Sequence, residues 1–101
     1  MDAQHRVREF CETHDVDGRP EFQLLDLASE VGELAKDACE STDWGENPDD
    51  FDLATDEFGD ALFSLITVAE SLDVDLDDAL DEALAKYERR IEATGDASSG
   101  N

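Results

Sequence analysis

The stretch DEFGDALFSLITVA, Asp56–Ala69, decides how this chain folds. In a protein where 36% of residues are charged, the run from Ala61 to Ala69 carries no charge at all, yet Glu57 and Asp60 stand at its entrance. At helical spacing Phe51, Ala54, Phe58, Ala61, Leu62, Leu65, Val68, Ala69 and Leu72 form one apolar stripe, with Phe63, Ser64, Ile66 and Thr67 opposite. A helix that is uncharged nearly all round is a buried one. It is either central to a helical bundle or the face of a subunit interface.

Outward from this helix, punctuation divides the chain into four helical segments. Upstream, the apolar residues Leu24, Leu27, Ala28, Val31, Leu34, Ala35 and Ala38 repeat at i, i+3, i+4, i+7, which predicts a helix over 20–41 with Pro20 in its first turn. STDWGENPDD then reads as a loop, with Asn47 expected to cap the third helix and Pro48 to occupy its first position. The first helix is expected over 3–14, ended by DVDGRP; the last begins at Asp75, its N-cap, runs through DEALAKYERRIEA and stops at Gly95. No alternating segment is long enough for a strand, so the class is all-α. Four helices with short loops make a bundle, or half of a larger one completed by dimerisation. Residues 1–94 are the helical domain, and 95–101 a disordered polar tail with nothing to bury.

The 101 residues suffice for one domain with a modest core. A formal net charge of −22 excludes nucleic acid, itself a polyanion, as a natural partner. Such a surface repels itself in dilute buffer, whereas multimolar salt shortens the Debye length to about 3 Å or less. The expectation is a cytoplasm full of salt, as in halophilic archaea. Cys11 and Cys39 lack metal-ligand spacing and suit a reducing cytosol. A polar N-terminus and no long apolar run argue against a signal peptide and against a membrane partner, so a cytoplasmic location is expected.

In so acidic a chain most carboxylates only solvate the surface, and the informative ones are those placed where burial is expected. On the second helix Asp26, Glu30, Glu33 and Asp37 share one flank of the apolar stripe; on the third, Glu57 and Asp60 are again spaced i, i+3. An isolated buried carboxylate costs several kcal/mol unless a cation compensates it, and the chain has only 7 basic residues. Two i, i+3 pairs on adjacent helices can converge as four oxygen ligands, a hard donor set that selects Mg²⁺ or Mn²⁺ over zinc and suits phosphate chemistry.

SEVGEL (Ser29–Leu34) followed by DEFGDALFSL (Asp56–Leu65) resembles the ExxE…ExxD signature of the MazG-like all-α nucleoside triphosphate pyrophosphatases. LDVDLDDAL and KYERR further along match as well, so the likeness spans residues 22–91. The resemblance implies a four-helix MazG-like bundle and a Mg²⁺-dependent hydrolase cleaving a nucleoside triphosphate between the α and β phosphates, for nucleotide-pool cleansing. It implies Glu30, Glu33, Glu57 and Asp60 as metal ligands, Glu30 or Glu33 as the catalytic group that takes a proton from the attacking water, and a homodimer or tetramer. Lys86, Arg89 and Arg90 cluster on the last helix; they either complement its dipole or clamp the triphosphate, with Lys36 a further candidate. Phe10, Phe22 and Phe58 suit core packing; Trp44 suits sealing the bundle end rather than stacking on a base; His5 and His14 are expected on the surface.

Two other readings stay open. Phosphoribosyl-ATP pyrophosphohydrolase of histidine synthesis has a similar carboxylate constellation. A non-catalytic acidic helical module, binding a partner through its third helix, would need the carboxylates only for hydration.

Overall fold

A computed structural model describes residues 2–95. They form α1 (Asp2–Thr13), α2 (Pro20–Ser41), α3 (Thr55–Ser71) and α4 (Leu76–Thr94), with a 3-10 turn over Pro48–Asp50 and no strand among the described residues. The all-α class holds; the expected polar tail beyond Gly95 lies outside the described residues.

Local chemistry accounts for most helix ends. Asp75 Oδ1 accepts the Asp77 and Asp78 N–H groups at 2.9 and 3.2 Å, starting α4 as expected. Gly95 ends it at φ 76°, with its N–H donated to the Ile91 carbonyl at 2.7 Å; the left-handed backbone is what glycine supplies there. The start of α3 differs from expectation. Pro48–Asp50 makes only the short 3-10 turn, and the Asn47 side chain caps nothing. Phe51 is extended at φ −53°, ψ 124°, and the Asp52 N–H is held by Ser41 Oγ at 3.0 Å. The loop is thereby pinned to the end of α2, and α3 begins only at Thr55.

The centre of the fold is an antiparallel hairpin of α2 and α3. Along α2 the partly buried residues Gln23, Leu27, Glu30, Leu34, Asp37 and Ser41 recur at alternating intervals of four and three, the spacing of a helix–helix seam. Its register is tied at one end, where Ser71 Oγ donates to Gln23 Oε1 at 2.7 Å; at the other, Asp37 comes to lie opposite Glu57. α1 crosses α3 on a second side, with Phe10 edge-on to Phe63 at 5.9 Å between ring centroids. Ile66, wholly buried, and Val68 and Ala69 form the small core between them.

This core takes only part of the expected stripe of α3: Val68 and Ala69 are buried and Ala61 partly so. Ile66 and Ser64 of the opposite side are buried with them, whereas Phe58, Leu62, Leu65 and Leu72 of the expected stripe lie exposed. Only α1 and α2 pack along α3 among the described residues, which leaves part of its surface uncovered; Leu62 borders a cavity with Ala3, Val7 and Phe10 of α1. Phe10 and Phe22 are also exposed rather than core, and Trp44, expected to seal the bundle end, is 73% exposed on a left-handed turn. α4 packs along none of the other helices. The Cα radius of gyration is accordingly 16.7 Å, against about 13 Å for a compact domain of this length. A second apolar row, Leu80, Leu84, Tyr87 and Ile91, is exposed on α4.

Candidate metal centre

Glu33 and Asp37 are one turn apart on α2 and therefore project from the same face; the first turn of α3 brings Glu57 opposite them. One carboxylate oxygen from each of the three lies within 4.8 Å of the others. Glu33 is exposed, while Asp37 and Glu57 are partly buried. Glu57 Oε2 has almost no contact with solvent and no hydrogen-bond partner.

The electrostatics follow from that crowding. The Glu57 carboxyl is pushed up to about 7, chiefly by its hydrogen bond with Asp37, then by burial, and then by the charges of Asp37, Glu33 and Asp56. Near neutral pH a proton thus holds together a pair that would otherwise repel. No lysine or arginine forms an ion pair with any of the three among the described residues. An orphaned buried oxygen, three converging carboxylates and no protein cation fit a hard divalent ion.

Of the residues expected at the site, Glu33 and Glu57 are in this group. Glu30 is partly buried on the α2 seam, about 4.5 Å along the axis from Glu33 by helical rise, and Asp60 is exposed one turn beyond Glu57; neither belongs to the three-carboxylate group. Asp37 is the member that the signature passes over. Its signal was present in the i, i+4 spacing from Glu33, on the flank shared by Asp26 and Glu30.

The cations stand elsewhere. Lys36 is exposed on α2; Lys86 and Arg89 are exposed and Arg90 partly buried on α4. Lys86 Nζ and the Arg90 guanidinium lie 5.3 and 5.9 Å from the centre of the Tyr87 ring, which holds both heads on one side of α4. None of these four forms an ion pair among the described residues. His5 pairs with Glu9 at 3.1 Å, and His14 lies beside Phe10, both on the surface as expected.

An antiparallel helical hairpin that gathers carboxylates from both helices around one point defines an all-α protein with a cluster of oxygen donors able to hold a metal ion. The family model of the MazG nucleotide pyrophosphohydrolase domain matches residues 19–94, and the chain belongs to that family. It is 35% identical over 75 residues to the uncharacterized protein YpjD of Bacillus subtilis (strain 168), a match covering 70% of this chain and 66% of that protein. No solved structure matches significantly. All the candidate ligands and cations fall inside the family match, whereas α1 precedes it. No helix among the described residues is long and apolar enough to cross a membrane.

Proposed function

We propose that this chain is a Mg²⁺-dependent nucleoside triphosphate pyrophosphohydrolase, cleaving ribo- or deoxyribonucleoside triphosphates between the α and β phosphates to the monophosphate and pyrophosphate. The observation that carries the reading is Glu57: a buried, unpartnered oxygen beside Glu33 and Asp37, in a chain of the MazG family.

In this reading Glu33, Asp37 and Glu57, with Glu30 and Asp60 one turn away on each helix, hold the divalent ion; Mn²⁺ suits the same donors. When bound, the ion neutralises phosphate charge and acidifies the attacking water. The oxygen of water forms the new bond to the α-phosphorus, the bond to the α–β bridging oxygen breaks, and the leaving pyrophosphate keeps that oxygen. Glu30 or Glu33 accepts the proton that the water loses. Lys86, Arg89 and Arg90 bind the phosphate tail, with Lys36 assisting from α2.

Assembly and setting belong to the same reading. The exposed apolar rows of α3 and α4 support a homodimer or tetramer, in which a second copy covers Phe58, Leu62, Leu65, Leu84 and Tyr87. The net charge of −22 supports work in a salt-rich cytoplasm such as that of a halophilic archaeon, on nucleotide-pool cleansing.

The test is pyrophosphate release from a panel of ribo- and deoxyribonucleoside triphosphates and phosphoribosyl-ATP, with Mg²⁺ in multimolar KCl. Mg²⁺-dependent release that Glu57→Gln abolishes is expected. Release from phosphoribosyl-ATP alone would move the assignment to histidine synthesis, and no release from any member would favour an acidic interaction module.

A further inference from the structure

We propose that Gln4, on the helix that precedes the family match, is a positioning residue that sets the direction of α4 and so places Lys86 and Arg90. This rests on the reading of those two residues as phosphate contacts.

Gln4 is only 4% exposed, and its one amide spans three pieces of backbone and side chain. Its Nε2 donates to Glu70 Oε2 at 2.8 Å, near the end of α3, and to the Val74 carbonyl at 2.7 Å, in the connection. Its Oε1 accepts the N–H of Leu76, the first residue of α4, at 2.9 Å. Glu70 is held from the same side by Arg8, whose Nε and Nη2 donate at 2.6 and 3.3 Å. α1 therefore grips the end of α3, the connector and the root of α4 together.

Within one chain, that root sets the orientation of the helix. The connector, residues 72–75, is short and contains Asp73 at φ 55°, with the Val74 N–H bonded back to the Ala69 carbonyl at 2.8 Å. Beyond it α4 packs along no other helix. From Leu76 to Arg90 is about 21 Å at the helical rise, so a rotation of about 10° at the root carries Arg90 by about 4 Å. Displacement on that scale removes a hydrogen bond to phosphate. Only a side chain that both donates and accepts satisfies Val74, Glu70 and Leu76 together, which is the property of an amide. A glutamate at this position would set a second carboxylate against Glu70 and the Val74 carbonyl.

The experiment uses the full chain with Cys11→Ser and Cys39→Ser, spin-labelled at Ser29→Cys on α2 and Glu88→Cys on α4. It is diluted with unlabelled protein so that only distances within one chain are read by pulsed electron resonance. A narrow distance distribution is expected for the Gln4 protein, and one broadened or shifted by several ångströms for Gln4→Leu. Faster exchange of the Leu76 amide, unchanged Mn²⁺ affinity at the α2–α3 hairpin, and a KM raised about tenfold at near-constant kcat should accompany it.

An unchanged distance distribution in Gln4→Leu overturns the proposal. So does a loss of Mn²⁺ affinity parallel to the rise in KM, which would mark a general loss of structure. If Gln4→Leu does not fold, Gln4→Glu decides, because it keeps an acceptor for Leu76, loses both donors, and must still broaden the distribution. Lys86→Ala separates the two readings: an unchanged KM there removes the phosphate role, while the distances still decide whether Gln4 directs α4.

Discussion

Binding of a divalent ion should depend on pH through Glu57, and the dependence can be worked from the site. The Glu57 carboxyl keeps its proton up to about 7, primarily through its hydrogen bond with Asp37, and an ion arriving between Glu33, Asp37 and Glu57 must displace that proton. With one group titrating at about 7, the binding-competent fraction is about nine-tenths at pH 8 and about one-tenth at pH 6. The apparent affinity should therefore fall about tenfold from pH 8 to pH 6, and about tenfold again by pH 5.

Folding is linked to the same proton. The folded-state value lies above the ordinary 4.5, so the folded protein holds the extra proton between about 4.5 and 7. Stability without metal then falls as pH rises through that window, and saturating divalent ion reverses the trend. Asp37→Asn removes a like charge and lets an amide N–H donate to Glu57, favouring the ionised form. Its affinity should be weaker at pH 8, for want of one ligand charge, and nearly flat down to pH 6. The assay is titration with Mn²⁺, reading the free ion by electron resonance at constant KCl. Equal affinity at pH 6 and pH 8 in the unmutated protein would refute the shared proton, and an unaltered slope in Asp37→Asn would remove Asp37 from the site.

Two further outcomes concern assembly and the core. Leu84→Asp combined with Leu65→Asp places charge on both exposed apolar rows and should weaken self-association at least about a hundredfold, since burying an unpaired carboxylate costs several kcal/mol; an unchanged mass in sedimentation would show that the copies meet elsewhere. Ile66→Ala empties the one large side chain that is fully buried among the described residues and should cost about 3 kcal/mol, lowering Tm by about 10 °C or more in thermal unfolding. A loss under about 1 kcal/mol would mean that the core is not centred there.

Much of the local structure was legible because it depends on neighbours in the chain. Pro20, Asp75 and Gly95 act through backbone groups within a few residues, and the helix ends they imply lie where expected. The start of α3 was misread because the Asp52 N–H is held by Ser41, eleven residues back, and no local cap could foretell it. Glu33 and Glu57 were legible as carboxylates at the edge of apolar stripes. Asp37 was seen on the same flank but not in the site, because nothing in one helix says which of four neighbouring carboxylates a second helix will meet.

The sequence by itself determined the all-α class, the four helices and the two that carry the acidic site, since periodicity and capping are short-range. Only the tertiary structure decided which positions of α3 are buried, that Glu33, Asp37 and Glu57 converge, and that Gln4 holds the root of α4. Phe58, Leu62 and Leu65 are as apolar as Ile66, and helical periodicity is satisfied by either side of such a helix. The choice belongs to α1 and α2, which pack against α3 from directions that no single helix encodes.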